Sequence, residues 1–356
     1  MTPSAPMVAT FPLLTGQNPY QSLLLEALRA RGVRLAGEGG GLKPRWVRGA
    51  AAAGVDAVHL HWLEFLYSAE GTGPVSAALV HKRAAALMRA LDELRRSRIR
   101  VVWTVHNLRP HETRFPRLAD AAIRAGLRAA DALVVHSEHA ARRLDEAFSP
   151  GRAPLVLPHP NYAGAYPPER LGRARRRREL DLDEQAFVHL MFGQIRPYKR
   201  VPEAIAAFAR VEDRRARLVM SGGVSDPSLE REIRGRAGRD DRVRLALGPV
   251  ADEDVADLHA AADSALLHYR DVFSSGALML ALTFGLPIVA PAGSTADELV
   301  RPPALEAYAG DDPAPALARV AMGDQAARRA AALHTAAAHP WSAMADGLIR
   351  LFDRSP

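Results

Sequence analysis

At 356 residues, 48% of them hydrophobic and 24% charged, the chain is long enough for two cores and too apolar to be mainly disordered. It has no cysteine, which excludes disulfides, thiolate nucleophiles and cysteine-held metals. A formal charge of +7 makes an anionic partner the expectation: nucleic acid, an anionic membrane surface or a phosphorylated small molecule.

The opening MTPSAPMVATFPLL lacks the basic start and long apolar core of a secretory signal. The most apolar later stretch, 277–292, is broken by Thr283, Gly285 and Pro287 and falls short of the roughly 20 residues of a spanning helix. A cytoplasmic protein is expected, with peripheral contact at the inner face of the cell membrane left open.

In chain order, the first half offers the apolar runs MVATF, VRLAG, VDAVHLHW, RVVWTVHN, ALVVHSE and PLVLPHP. The second offers FVHLMFG, ARLVMSG, VRLALG, SALLHY and PIVAP. Helical periodicity lies between them at 21–31, 75–96, 116–130, 202–210 and 252–262. Strand–helix alternation with nearly continuous apolar strands predicts an α/β chain with parallel sheets covered on both faces, run through twice. The Pro- and Arg-rich stretch between the halves places the domain boundary near 166–181.

Ligands of such sheets sit beyond the carboxyl ends of the strands, so those loops carry the candidates. After the first run, Gly16 allows close backbone approach, with Asn18 and Pro19 expected to open a helix. VDAVHLHWLEFLY puts His59 and His61 on one strand face, with Trp62 and Glu64 at its end. No third ligand at a convincing spacing accompanies the two histidines, so no metal is expected. VVWTVHNLRPHE ends in His106, Asn107, Arg109, His111 and Glu112, a polar density that packing does not explain.

In the second half, FGQIRPYKRV presents Arg196 and Lys199 just past a glycine, placed to hold a phosphate. ARLVMSGG ends a strand at Gly222. SALLHYRDVFSSGALMLALTFGLPIVAP gives a strand, a loop with Asp271, and a helix opened by Ser274, Ser275 and Gly276, whose backbone amides suit an anion. Helix capping is the plainer role for the serines and is compatible with phosphate binding.

These pieces, with TVHN around His106 and VVHSEHAARRL around Ser137, resemble GT-B glycosyltransferases, close to glycosyltransferase family 4 and related bacterial polysaccharide and natural-product enzymes. The resemblance implies two Rossmann-like domains facing across a cleft: residues 1–168 for the acceptor, 169–338 for the sugar nucleotide, and a final helix, 339–356, crossing back. Substrate contacts are then expected from Gly16, His61, Trp62, Asn107 and Ser137. Donor contacts are expected from Arg196, Lys199, Gly222, Val250, Asp271, Ser274, Ser275 and Gly276.

By the same resemblance His106 lies near the transferred sugar, and Glu64, Glu112 or His106 would serve as base if configuration is inverted. The co-substrate is a nucleoside-diphosphate sugar, UDP- or GDP-linked, with a small-molecule or lipid-linked acceptor and no cofactor. The family has arginine directly after the glycine and two late glutamates; this chain has Gln194, Val272 and Leu280 there.

Other classes are weaker. GEGGGLKPRW leads to Lys-Pro rather than into a dinucleotide-binding helix. The run ARRRR, 174–178, reads as a solvated helix face rather than a nucleic-acid contact. The Asp-x-Asp triplets at Asp181 and Asp252 read as helix starts. A GT-B epimerase or hydrolase of sugar nucleotides, or a noncatalytic partner subunit, stays open.

Overall fold

The computed structural model describes residues 5–14, 18–36, 41–68, 76–110, 113–269 and 273–353. Contacts divide the chain into two units, Met1–Pro158 with Trp341–Pro356, and His159–Pro340.

The first unit runs β1 (Met7–Phe11), α1 (Tyr20–Arg29), β2 (Arg34–Leu35), α2 (Pro44–Ala52), β3 (Ala57–Leu60), α3 (Ala77–Arg96), β4 (Arg100–Thr104), α4 (Pro116–Ala129), β5 (Ala132–Val135), α5 (Glu138–Phe148) and β6 (Leu155–Val156). Its sheet is parallel, in the order β2-β1-β3-β4-β5-β6, so the chain reverses its winding direction between β1 and β3. Every residue of β3 is buried, as a strand covered on both faces requires.

The second unit runs α6 (Arg173–Glu179), β7 (Phe187–Phe192), α7 (Val201–Phe208), β8 (Ala216–Gly222), α8 (Pro227–Ala237), β9 (Val243–Leu247), α9 (Asp252–Ala261), β10 (Ser264–Leu266), α10 (Gly276–Thr283), β11 (Ile288–Pro291), α11 (Thr295–Leu299), β12 (Leu305–Tyr308), α12 (Ala314–Met322) and α13 (Gln325–Ala337). Its parallel sheet is ordered β12-β11-β10-β7-β8-β9, with the reversal between β7 and β10. The last helix, α14 (Trp341–Phe352), belongs to the first unit. Met344, Ala345, Leu348 and Phe352 lie on one helical stripe and share a core with Val8, Tyr20, Leu24 and Leu28.

Two expectations are corrected, and one strand was not foreseen. The arginine run is only in part a solvated face: Arg175 and Arg178 are exposed, but Arg177 is 1% exposed and donates to the carbonyls of Ala261, Glu184 and Ala186 and, at 2.7 Å, to Asp263. Arg173 reaches Asp263 as well, and Arg176 reaches Asp254, so α6 is clamped onto α9 and the turn that follows it. Asp181 follows α6 instead of starting a helix; it sits at φ 52° and pairs with Arg244, while Asp252 begins α9 without a side-chain cap. Finally, LEAY at the sheet edge is the strand β12, whose polar Glu306 broke the apolar run.

Removing one partner of a buried ion pair leaves the other unpaired, which typically destabilises by about 3–5 kcal/mol. Arg177→Ala strands the three carbonyls and leaves Asp263 to Arg173 alone, so it should lower the unfolding free energy from urea titration by up to that amount, whereas exposed Arg178→Ala should change it by less than about 1 kcal/mol.

Candidate active site

In each sheet the reversal point leaves a crevice at the carboxyl ends of the strands, where no connecting loop crosses. In the second unit that crevice lies between β7 and β10, and the loops leaving both strands carry expected donor residues. Past β7, Gly193 turns at φ +94° and Pro197–Lys199 form a short 3-10 helix that folds Lys199 back over the strand end. Its Nζ donates to the Phe192 carbonyl at 3.2 Å and stands 5.4 Å from the Tyr269 ring centroid, on the loop after β10. Lys199 is only 7% exposed, and no carboxylate of the described residues pairs with it. Burial, with the nearby charge of Arg196, lowers its pKa to about 7.

The same end of the sheet gathers Gly222 from β8, Val250 from the loop after β9 and the Ser274–Gly276 segment that opens α10. Gly222 has φ +145°, and a Cβ there would stand 2.3 Å from the Gly193 carbonyl oxygen, so only glycine lets these strand ends approach. Ser275 caps α10, its Oγ accepting from the Leu278 N–H at 3.1 Å. A Cβ on Gly276 would lie 2.8 Å from the Tyr162 hydroxyl and 3.8 Å from His159 Nε2, which places two further polar groups at the helix start. Asp271 and Val272 lie outside the described residues; Leu280 is buried within α10.

In the first unit the reversal lies between β1 and β3. Three neighbouring strands end in histidine: His61 after β3, His106 after β4 and His136 after β5. His61 Nδ1 and His106 Nε2 are 2.9 Å apart, Trp62 stacks on His106 at 4.0 Å and 15°, and Tyr20 meets its ring edge-on at 4.9 Å. His136 Nδ1 donates to the Leu157 carbonyl, which leaves Nε2 to accept the Tyr20 hydroxyl at 3.2 Å. His61, Trp62, Glu64, His106, Asn107 and Arg109 line one pocket. His59 is buried beneath, bonded to Thr104 Oγ1 at 2.8 Å. Ser137 does not line the pocket: it is fully buried, and its hydroxyl accepts from the Ala140 N–H as the cap of α5. Gly16 and Glu112 lie outside the described residues. No group of three or more His, Asp or Glu among the described residues is arranged to hold a metal ion.

Sequence reasoning missed His136, His159, Tyr162 and Tyr269. For His136 and Tyr269 the signal was present, a polar side chain just past an apolar strand. For His159 and Tyr162 it was not, because PHPNY reads as linker.

Residues 186–321 match the family described as glycosyl transferases group 1. The chain is 29% identical over 280 residues to a GDP-mannose:glycolipid 4-beta-D-mannosyltransferase of Xanthomonas campestris pv. campestris, covering 77% of this chain and 70% of that one. It is 34% identical over 190 residues to a D-inositol 3-phosphate glycosyltransferase of Salinispora tropica, covering 48% and 39%. Among solved structures, Anabaena Alr3699/HepE in complex with UDP-glucose superposes with a TM-score of 0.70 at 15% identity, over 97% of this chain and 98% of that one. Two doubly wound parallel units of this kind define a GT-B fold. The second unit thus carries a match to the group 1 glycosyltransferases, and the chain as a whole is similar to enzymes of that class.

Two predictions arise from the packing. Gly222→Ala forces both a positive-φ alanine and a backbone clash; a loss of about 1–3 kcal/mol is expected by calorimetry, together with loss of any nucleotide-induced thermal shift. The second concerns acid. Burial holds His59 at about 3 and His136 at about 4, both below the roughly 6.5 of an unfolded histidine. The unfolded chain then binds protons first, so stability is full above about pH 6.5 and falls as pH drops through 4 toward 3. Urea titrations at pH 7.5, 6 and 5 should show midpoints decreasing in that order.

Proposed function

We infer that the protein moves a sugar from a nucleoside-diphosphate sugar to a hydroxyl or amine acceptor, the second unit holding the donor and the first the acceptor. The bond from the anomeric carbon to the diphosphate oxygen breaks, its electron pair stays on the diphosphate, and the acceptor oxygen or nitrogen bonds to the carbon as its proton passes to the departing diphosphate or to a base in the pocket. Charge grows on the departing diphosphate, and preorganised positive groups there lower the barrier. Lys199, Arg196 and the backbone amides at the start of α10 are the groups for that task.

The observation that carries this reading is the buried Lys199 ammonium with no carboxylate partner among the described residues, at the reversal point of its sheet. A cation desolvated in this way is stabilised by an incoming anion more than an exposed one would be. The helix contributes only about 0.3–1 kcal/mol, so the cations dominate. The names of the relatives support UDP- or GDP-linked donors and a glycolipid acceptor. His106, Trp62, Glu64 and Asn107 are the acceptor-side contacts in this reading.

Donor binding should take up a proton. Lys199 is near pKa 7 when unliganded, and a bound diphosphate raises that value. At pH 6 the amine is already charged and uptake is small; at pH 8 it is mostly neutral before binding, so uptake approaches one proton. Calorimetry of UDP and GDP in buffers of different ionisation enthalpy measures this directly. Lys199→Ala should remove the pH 8 uptake and weaken binding roughly 10–100-fold, equivalent to about 1.5–3 kcal/mol. Unchanged affinity in that variant rules the assignment out.

A further inference from the structure

We propose that Arg200 is a positioning residue: by pairing with Asp311 on the loop after β12, it fixes the turn that carries Lys199. Its bearing on donor binding rests on the reading of Lys199 given above; the placement of the lysine does not.

Residue 200 is the joint of that turn. The Arg200 N–H donates to the Pro197 carbonyl at 3.0 Å, closing the 3-10 turn, and its own carbonyl accepts from the Ala204 N–H at 2.9 Å as α7 begins. The two helical segments thus meet at one residue, which sits in the left-handed region at φ 53°, ψ 42°. Glycine adopts that conformation freely, whereas a residue with a β-carbon keeps it only where its surroundings fix it. The Arg200 side chain supplies the fixing. It is 12% exposed, its Nη1 donates to Asp311 Oδ1 at 2.7 Å, and Glu203 lies 3.7 Å from its Nε.

The loop that holds Asp311 is itself anchored. Asp312 pairs at 2.7 Å with Arg210, just past the other end of α7, and accepts from the Ala314 N–H at the start of α12. Ile205 and Phe208 of α7 share a buried core with Leu317 and Val320 of α12. The end of β12 also reaches the other wall of the lysine: the Tyr308 hydroxyl lies 2.6 Å from Nδ1 of His268, the residue before Tyr269. Lys199 itself is held, among the described residues, by the Phe192 carbonyl and the Tyr269 ring, so the place of its amine depends on the turn. Asp311 is 70% exposed, and a pair of that kind contributes little to global stability. Its effect is local, the choice of one turn conformation over others.

Lys43, Lys82 and Lys199 are the three lysines of the chain, so NMR of 13Cε-labelled lysine follows Lys199 through a pH titration, with Lys199→Arg assigning its signal. Burial, with the charge of Arg196, keeps its midpoint near 7 in the unmodified protein. Asparagine tolerates the left-handed conformation, so Arg200→Asn removes the guanidinium and leaves the joint in place. Arg200→Asn and Asp311→Asn should each raise the midpoint by about one pH unit or more as the amine gains water. Charge alone would move it in opposite directions, up on losing a cation and down on losing an anion; opposite shifts, or two unchanged midpoints, overturn the proposal. UDP and GDP affinities by calorimetry should fall about three- to fivefold in both variants, with urea midpoints close to that of the unmodified protein. The double variant should be no worse than either single one, and Arg200→Lys, which keeps the charge facing Asp311, should recover most of the loss. Additive losses in the double variant count against the pairing. Raised midpoints with unchanged affinities uphold the positioning of Lys199 and remove it from donor binding.

Discussion

An ammonium taken out of water needs negative charge or good acceptors around it, and Lys199 has one carbonyl and an aromatic face among the described residues. Its neighbourhood follows from that constraint. Gly193 and Gly222 together allow the ends of β7 and β8 to close on each other, which carries the 3-10 turn back over the strand. The Nζ lies 3.4 Å from where a Cβ on Gly193 would be, so a side chain there would crowd the amine directly. The site is thus held by backbone geometry, and the cation is left with an electrostatic deficit that a diphosphate can fill.

The first unit solves a different physical problem. Its pocket is walled by rings, and its buried histidines are held neutral by desolvation. Buried neutral imidazoles suit hydroxyl recognition, where donors and acceptors must be placed accurately. A cationic crevice suits a diphosphate. The two units share an architecture and differ in strand order and in the chemistry at their strand ends.

Most of the fold was legible because buried parallel strands and amphipathic helices write their periods directly into the sequence: MVATF is β1 residue for residue, and 252–262 is α9 to within one residue. The arginine clamp was not legible. Composition alone cannot distinguish a guanidinium in water from one satisfied by three carbonyls and Asp263, since two of its acceptors, Ala261 and Asp263, lie more than 80 residues further on. The same holds for Tyr162 and His159, whose place beside α10 depends on tertiary packing. The row of strand-end histidines could have been read as a set, since VHLH, TVH and VVH recur at the same strand position. Only the sheet order makes them neighbours.

Sheet geometry also bears on the missing family arginine. Gln194 occupies that position, exposed, with its carboxamide beside Gly223. Strand pairing does not stop at Gly193: Ile195, 3% exposed, still bridges to Val224, and Arg196 keeps an extended backbone at φ −132°, ψ 158°. While the strand continues, positions two apart face the same side. Arg196 therefore shares the side of Gln194, one strand repeat further on. Its charge reaches Lys199 strongly enough to depress that lysine's pKa. A guanidinium side chain is long enough to span a two-residue displacement of about 6–7 Å, which makes Arg196 a candidate for the second cation beside the lysine.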